Sequence, residues 1–373
     1  MPFTDLDYMK RALELALRAR GETSPNPMVG AVVVRAGKII AEGYHLYCGA
    51  DHAEVMALKK AKTKSVGAKL YVTLEPCSHF GRTPPCVDRI IEAGIEEVIV
   101  GMVDPNPVNS GKSLLKLKCA GIKVKVGFFE EQLKKINEVF IKYITQKIPF
   151  IVAKSAQTLD GKIAVPTGES QWITAKESRD YAHRLRSDFD GILIGINTVL
   201  KDNPFLNASK KRKPIKKIVV DSHLRLPFKA NLFKNTDPSD VVIATTKQAA
   251  QNKLQQFQKR GVTLMVCPEF VPAKEFPAAG KRIRLRWLFQ ELARREISSV
   301  LIEGGAHIIG GALQEKLVDK FLVFVAPKII GDEKALSSIC GLNVNRVDRL
   351  IKLRDVSVEC LAEDILIRGY TQY

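Results

Sequence analysis

The sequence predicts an α/β protein built from two domains. Its 373 residues suit two domains of ordinary size. Short runs of β-branched residues alternate with segments of helical periodicity, which favours layered sheets and helices. The alternation restarts near Phe150. We therefore expect one domain over residues 1–147 and a second over residues 148–373.

The first domain is predicted to open with a helix. Thr4 and Asp7 resemble a capping box, and Leu6, Leu13 and Leu17 recur with Met9 at helical spacing. Helices are then expected near residue 51 and after the prolines at 84–85. The apolar runs predict strands over 31–34, 70–74, 98–103 and 124–128.

The second domain contains a longer series of strand-like runs, with helical segments between several of them. This alternation again favours an α/β sheet. The predicted strands cover residues 150–153, 191–196, 218–220, 241–245, 262–266, 300–302, 321–326 and 365–369.

The net charge of +18 is concentrated, because residues 201–290 hold 19 Lys+Arg against 6 Asp+Glu. Such an excess fits either a solvated surface or a site for anions, and nucleic acid, membrane surfaces and phosphorylated small molecules all remain possible partners. No run reaches the length of a membrane span, and the charged residues within 1–20 argue against a signal peptide. We expect a cytoplasmic protein whose seven cysteines bind metal or lie in the core.

One His and two Cys have the pattern of a zinc site. His52 is followed two residues later by Glu54, and Cys77 and Cys86 come further along the chain. Three protein ligands leave a fourth zinc position open for water, whose pKa zinc lowers toward about 7. Glu54 is the candidate proton shuttle, as in zinc nucleobase deaminases, and the alternative for it is a solvent-facing helix residue.

The length and sequence of the loop between Cys77 and Cys86 indicate which family of zinc deaminases the chain resembles. Eight residues separate them, and the string PCSHFGRTPPC resembles the pyrimidine deaminases of riboflavin biosynthesis. The resemblance implies a cytidine-deaminase-like three-layer α/β/α domain, with Arg82 near a substrate phosphate. It also implies substrate contacts from Asn26, His45, Asp104 and Asn106, although both asparagines also suit turns beside proline. At residue 113 a serine stands where the family usually has glycine, which puts the local backbone in question.

The second half has no G-x-G-x-x-G motif, so a Rossmann domain is not supported. The segments 154–164, 168–174 and 303–306 instead resemble the reductase half of the same bifunctional family, which has a dihydrofolate-reductase-like fold. The glycines after the strand at 300–302 can present backbone N–H groups to a pyrophosphate. By resemblance, NADPH would contact Ala156, Trp172, Thr198, Asp202, Ser222, Gly305, Ala306, His307, Ile308, Ile309, Gly310 and Gly311.

The same resemblance assigns the reductase substrate to Ser170, Arg186, Leu206 and Glu303. For Leu206 and Trp172 the alternative to a ligand contact is packing in the hydrophobic core. The family carries a phosphate-binding arginine shortly after the position of Leu206, where this chain has Ser209. Lys210 or Arg212 could supply the charge, and the sequence leaves that choice open.

Together the motifs predict two consecutive steps of riboflavin biosynthesis, a zinc-dependent deamination followed by an NADPH-dependent reduction. The expected partner is a phosphorylated pyrimidine substrate, not nucleic acid or a membrane, and a homo-oligomer is expected. Two alternatives stay open: a deaminase acting on RNA through the basic second half, and a zinc-stabilised nucleotide- or RNA-binding protein without catalysis.

Overall fold

The computed structural model describes residues 3–81, 84–208, 213–268, 270–271, 282–342 and 344–373. The chain divides into two compact units, residues 1–147 and 148–373. In the part of the chain described, no helix is long and apolar enough to span a membrane.

The first unit contains a five-stranded sheet in the order β2-β1-β3-β4-β5, in which β3, β4 and β5 are parallel and β1 is antiparallel to both neighbours. Its elements are α1 (Asp5–Leu17), β1 (Gly30–Arg35), β2 (Lys38–Tyr44), α2 (Ala53–Ala61), β3 (Lys69–Leu74), α3 (Cys86–Glu92), β4 (Glu97–Met102), α4 (Lys112–Cys119), β5 (Lys123–Val126), α5 (Glu130–Ile136) and α6 (Glu138–Gln146).

Helix α1 begins with the capping box that the sequence predicts, and part of its apolar spacing is buried. The Thr4 hydroxyl accepts a hydrogen bond from the Asp7 amide, and the Asp7 carboxylate accepts one from the Thr4 amide. Leu6 and Leu17, which the helical spacing includes, are 54% and 38% exposed. The buried face is formed by Tyr8, Met9, Ala12, Leu15 and Ala16.

The first unit has three layers. Helix α1 packs on one face of the sheet, where Met9 and Leu15 meet Val32 and Ile99. The opposite face is covered by α2, α3 and α4, which contribute residues such as Ala57, Ile90 and Leu117 to a second apolar cluster. Side chains alternate across a strand, so consecutive residues of β1 serve the two clusters in turn.

The second unit is built on a nine-stranded sheet in the order β11-β10-β9-β8-β14-β6-β15-β18-β17. Its elements are β6 (Phe150–Thr158), β7 (Lys162–Ala164), α7 (Lys176–Leu185), β8 (Gly191–Gly195), α8 (Ile196–Asp202), β9 (Lys216–Val220), β10 (Val241–Thr246), α9 (Gln251–Lys259), β11 (Thr263–Cys267), β12 (Phe270–Val271), β13 (Arg282–Ile283), α10 (Leu285–Arg294), β14 (Ser299–Ile302), α11 (Ala306–Gln314), β15 (Lys320–Ala326), β16 (Leu336–Ser337), β17 (Lys352–Leu361) and β18 (Asp364–Gln372).

The direction of the strands indicates which edge of this sheet can bind a ligand. From β11 to β15 every neighbouring pair of this sheet is parallel, whereas β18 pairs antiparallel with β15 and β17 pairs antiparallel with β18. Ligands bind outside the carboxyl ends of the strands in open parallel sheets. Strands β8, β9 and β14 end next to one another at this edge, so the residues that follow them can share a binding site.

Candidate functional sites

His52, Cys77 and Cys86 meet at the carboxyl edge of the first sheet. His52 is the N-cap of α2, Cys86 is the first residue of α3, and Cys77 lies three residues beyond the end of β3. The His52 Nδ1 atom is 3.1 Å from the Cys86 sulfur and 3.6 Å from the Cys77 sulfur. All three ligand atoms lie within 4.8 Å of one another. The set fits zinc, because bonds of about 2.0–2.3 Å to one ion give such ligand separations.

The protonation of the two cysteines also suits a cation. A hydrogen bond from the Cys86 thiol, together with the His52 ring, lowers the pKa of Cys77 to about 4. The same contact and burial raise the pKa of Cys86 well above its usual range. The Cys86 amide N–H also donates to the Cys77 sulfur across 3.2 Å. These contacts favour the thiolate form of Cys77, which is the form that binds zinc.

Glu54 lies in the first turn of α2 and is buried, with 3% of its surface exposed. Burial raises the pKa of its carboxyl group. A solvent-facing helix residue would not show such burial, so that alternative for Glu54 does not hold. A buried carboxyl group with a raised pKa, next to a ligand set, has the properties of a proton shuttle.

The predicted pair Asn26 and His45 is in contact. The Asn26 amide nitrogen is 3.0 Å from His45 Nε2, and His45 Nδ1 is 3.2 Å from the Asp51 carbonyl oxygen. Burial lowers the pKa of His45, so the neutral ring accepts from Asn26 and donates to Asp51. This tautomer leaves the Asn26 carbonyl oxygen as the acceptor group.

Asp104 and Asn106 lie on the loop after β4, where both act within their own turn. The Asp104 carboxylate accepts from the Asn106 amide at 2.8 Å, and the Asn106 side-chain oxygen accepts from the Val108 amide at 3.1 Å. Burial raises the pKa of Asp104. The side chain of Asn106 therefore stabilises a turn, which is the alternative role that the sequence suggested for it. Arg82 lies outside the described residues.

Sequence reasoning missed Asn109, which supports the Cys77 loop. It is fully buried, and its carbonyl oxygen accepts from the Ser78 amide at 2.9 Å and the Ser78 hydroxyl at 2.7 Å. Its amide nitrogen donates to the Pro76 carbonyl at 3.0 Å and to Asp104 at 3.1 Å. Asn109 thus holds the residues on both sides of Cys77. A lone asparagine in a turn-rich segment gives no sequence signal for this role.

Glu75 is a second supporting residue, and it explains the serine at 113. Its carboxylate accepts hydrogen bonds from the amides of Asp104, Gly111 and Ser113, at 3.0, 2.9 and 3.2 Å. The Ser113 hydroxyl adds a fourth hydrogen bond at 2.8 Å. Ser113 is the second residue of α4, so it has ordinary helical geometry, whereas Gly111 has a φ of +78°. The position therefore needs a small residue, and the serine hydroxyl strengthens the contact with Glu75.

The second unit carries a groove of about 530 Å³ outside the ends of β6, β8 and β14. Eleven of the predicted reductase residues line it: Ala156, Ser170, Trp172, Arg186, Thr198, Asp202, Leu206, Glu303, Gly305, Ala306 and Ile309. Trp172 is 64% exposed, so it is not a core residue, whereas Leu206 is buried and also belongs to an apolar cluster. The Ser170 hydroxyl donates to Asp202 at 3.4 Å.

Glu303 and Arg186 form a two-pronged ion pair in this groove. Arg186 Nε lies 2.8 Å from one carboxylate oxygen and Nη2 lies 2.7 Å from the other. Arg186 also donates to the Asn207 carbonyl at 2.9 Å. Burial of Glu303 favours its neutral form, but the hydrogen bonds and charge of Arg186 outweigh burial and lower its pKa. Glu303 is therefore a carboxylate at neutral pH.

Lys154 is a groove residue to which the sequence assigned no role. It lies on β6 within the motif used for the resemblance and lines the same groove as Glu303. Burial lowers the pKa of its ammonium group, with the charges of Glu303 and Arg186 acting in opposite directions. A lysine with a lowered pKa gives up its proton more readily, and this is the property of a general acid.

A smaller cavity of about 280 Å³ shares Thr198 and Gly305 with the groove. It places Ser222, His307, Ile308 and Gly311 together. Gly305 has a φ of +92° and precedes α11, so only glycine fits there without strain. Gly310 lines neither space, because a Cβ at that position would lie 1.8 Å from the Cys340 carbonyl oxygen. Residues 209–212, which include the candidates for the phosphate-binding charge, lie outside the described residues.

Comparisons with known proteins cover both units. Residues 3–102 match the cytidine and deoxycytidylate deaminase zinc-binding region, and residues 149–367 match the RibD C-terminal domain. The riboflavin biosynthesis protein RibD of Aquifex aeolicus is 44% identical over 366 residues, which is 97% of each chain. The Escherichia coli protein of the same name is 38% identical over 338 residues, 90% of this chain and 91% of its own.

The chain belongs to the RibD family.

Solved structures agree along the whole length. The Acinetobacter baumannii RibD superposes with a TM-score of 0.87 at 33% identity, covering 99% of each chain. A Thermotoga maritima diaminohydroxyphosphoribosylaminopyrimidine deaminase/5-amino-6-(5-phosphoribosylamino)uracil reductase gives 0.83 at 37% identity, also covering 99% of each. The predicted family and the predicted pair of α/β folds are confirmed. The protein is a deaminase and a reductase of riboflavin biosynthesis, with zinc and NADPH as cofactors.

Proposed function

We propose that the first unit deaminates 2,5-diamino-6-(5-phosphoribosylamino)pyrimidin-4-one and that the second reduces the ribosyl group of the product, 5-amino-6-(5-phosphoribosylamino)uracil, to ribityl. The convergence of His52, Cys77 and Cys86 beside the buried Glu54 is the observation that carries the first step. The Thermotoga maritima relative bears the names of both activities.

His52, Cys77 and Cys86 are the proposed zinc ligands. Zinc, when bound, supplies a Lewis acid that makes water a nucleophile at neutral pH. Glu54 takes a proton from that water and delivers protons to the ring nitrogen and the departing amine, so that water adds at the ring carbon and ammonia leaves. Burial of Glu54 supports this role, because it holds the pKa of the carboxyl group above its usual range.

The surrounding residues are proposed to hold the substrate. Asn26, oriented by neutral His45, offers its carbonyl oxygen to the amino and ring N–H groups of the pyrimidine. Asp104 and Asn106 form the turn proposed to contact the ribose, and Arg82 is the proposed phosphate ligand. Asn109 and Glu75 act on the metal through the Cys77 loop, and we therefore class them as positioning residues.

In the second unit the open-chain sugar carbonyl is proposed to lie between Lys154 and Glu303. NADPH, when bound, supplies the hydride that reaches the carbonyl carbon. The Lys154 ammonium donates the proton that the carbonyl oxygen needs, which completes the alcohol. Glu303 is held as a carboxylate by Arg186 and accepts hydrogen bonds from sugar hydroxyls, while Ser170 and Leu206 complete the substrate wall.

The test uses Glu54→Gln in the full chain, with metal content, ammonia release and NADPH oxidation measured together. We expect zinc content to equal that of the wild type and ammonia release to fall at least about 100-fold, since a positioned acid–base group contributes about 10²–10⁴-fold. NADPH oxidation should persist when the deaminated substrate is supplied. Normal ammonia release by the variant would overturn the role of Glu54.

An enzyme acting on RNA would behave differently in the same assay. It would release ammonia from RNA and would not oxidise NADPH with either pyrimidine. The groove around Glu303 and Arg186 supports the small-molecule proposal instead. A cytoplasmic location and a homo-oligomeric assembly remain part of the proposal.

A further inference from the structure

The small cavity beside the reductase groove has a defined place relative to the reacting groups. It meets the groove at Thr198 and Gly305, where α11 begins. Lys154 and Glu303 line the groove and not the small cavity. A dinucleotide that places its nicotinamide beside Lys154 and its pyrophosphate at the start of α11 must therefore extend its adenosine end into the small cavity. This inference rests on the proposed reductase function.

The positively charged side chain of Arg225 lines the small cavity. Its Nη2 atom donates to the Asn197 side-chain oxygen at 2.8 Å, and both residues line the space. Within the residues that the structure describes, its guanidinium has no carboxylate partner. A guanidinium carries five N–H donors in a planar fork, so this contact leaves donors for an anion.

The turn that carries Arg225 is held firmly. Leu224 and Leu226, on either side of Arg225, are fully buried. The Leu226 amide donates to an Asp221 carboxylate oxygen at 2.8 Å, and the Lys253 ammonium donates to the Leu224 carbonyl at 2.6 Å. The backbone position of Arg225 is therefore fixed by its neighbours before any ligand binds, which reduces the ordering cost of binding.

The two carboxylates of the cavity are not available to a ribose hydroxyl. Glu315 accepts from the amides of Leu285 and Arg286, at 3.0 and 2.9 Å, and so caps α10. Asp221 is completely buried, and one of its oxygens accepts from Leu226. Neither carboxylate offers an exposed acceptor for the 2′-hydroxyl of NADH, which is the contact that selects NADH in other dinucleotide sites.

We propose that Arg225 binds the 2′-phosphate on the adenosine ribose and so makes the reductase specific for NADPH over NADH. The two dinucleotides differ only at this phosphate. A guanidinium matches phosphate oxygens in geometry and charge, and charge-assisted hydrogen bonds of this kind are about twice as strong as neutral ones. His223 and His307 line the same cavity as Arg225.

The experiment compares Arg225→Ala with Lys229→Ala, a nearby exposed lysine outside the cavity that controls for the loss of one positive charge. Dissociation constants are measured for NADPH, NADH, 2′,5′-adenosine bisphosphate and AMP with the full-length protein. In Arg225→Ala we expect binding of NADPH and of the bisphosphate to weaken about 10- to 100-fold, with NADH and AMP changed less than about twofold. Lys229→Ala should match the wild type, and Arg225→Lys should recover part of the discrimination.

The possible results distinguish a failure of the Arg225 proposal from a failure of the proposed reductase function. Equal weakening of NADPH and NADH, or no change in either, would overturn the role of Arg225 while leaving the reductase function intact. A wild-type protein that binds neither dinucleotide would overturn both. A circular dichroism spectrum and unfolding midpoint equal to those of the wild type show that the variant has kept its fold.

Discussion

The two units hold their reactive groups in different ways. In the first, the metal ligands and Glu54 lie in a compact, partly buried cluster, and Asn109 and Glu75 fasten the Cys77 loop with eight hydrogen bonds. In the second, the reactive groups are spread along a groove and rely on one ion pair between Arg186 and Glu303. A small ion requires ligands fixed within a few tenths of an ångström, whereas a long cofactor needs an extended surface with few fixed charges.

The largest effect should come from breaking that ion pair. Arg186→Ala leaves the Glu303 carboxylate buried without its partner, and such a loss costs about 3–5 kcal/mol. We expect kcat/KM for the reduction to fall about 100- to 1000-fold while deamination is unchanged. Arg184→Ala is the control, because that arginine is exposed in α7, the helix that Arg186 caps. Reduction at the wild-type rate in Arg186→Ala would show that Glu303 does not need the pair.

The matching test in the first unit removes the Asn109 side chain. Asn109→Ala leaves the Pro76 carbonyl and the Ser78 amide without their partner, so the Cys77 loop loses its support. We expect zinc release to a chromophoric chelator to accelerate about 10- to 100-fold, with reduction unaffected. Ser110→Ala, which changes an exposed neighbour, should release zinc as the wild type does. If Asn109→Ala released zinc at the wild-type rate, Asn109 would not be needed to position the metal-binding cysteines.

The smallest effect concerns pH and should appear in the second unit alone. Burial lowers the pKa of Lys154 below the ordinary lysine value of 10.5. Reduction needs the protonated lysine, so its rate is full below the lowered pKa and falls about tenfold per pH unit above it. The decline should therefore begin below pH 10.5. Lys154→Arg should lower the rate of reduction at every pH, because arginine keeps its charge and does not give up its proton. A profile that is flat to pH 10.5 would exclude Lys154 as the proton donor.

Sequence periodicity predicted most strands, including the edge strands β5 and β11, but it missed the edge strands β2 and β17. Strand β17 is exposed along nearly its whole length although Val356, Val358 and Cys360 alternate with polar residues, and β2 alternates only weakly. On α1 the apolar spacing predicted the helix and included the exposed Leu6 and Leu17, whereas the buried face also uses small residues such as Ala12 and Ala16. Which helical face is buried depends on the shape of the opposing sheet, and the helix sequence alone does not contain that shape.

Some residues of the candidate sites could be predicted from the sequence, and others could be identified only from the structure. The zinc ligands and Glu54 were recognisable because chemistry demands particular residue types at short spacing. Asn109 and Glu75 were not, since their roles consist of hydrogen bonds to backbone groups about 30 residues away along the chain. Lys154 lay within a recognised motif, but only its place beside Glu303 in the groove gives it a role.

The contacts of Glu75 also constrain when the metal site can be completed during synthesis. Its four donors come from residues 29 to 38 positions further along the chain. A nascent chain that has emerged only as far as α3 already contains His52, Cys77 and Cys86. It still lacks Asn109 and Ser113, which hold the Cys77 loop in place. We therefore expect stable metal loading at His52, Cys77 and Cys86 to follow the emergence of α4, and a chain truncated before α4 to hold zinc less tightly.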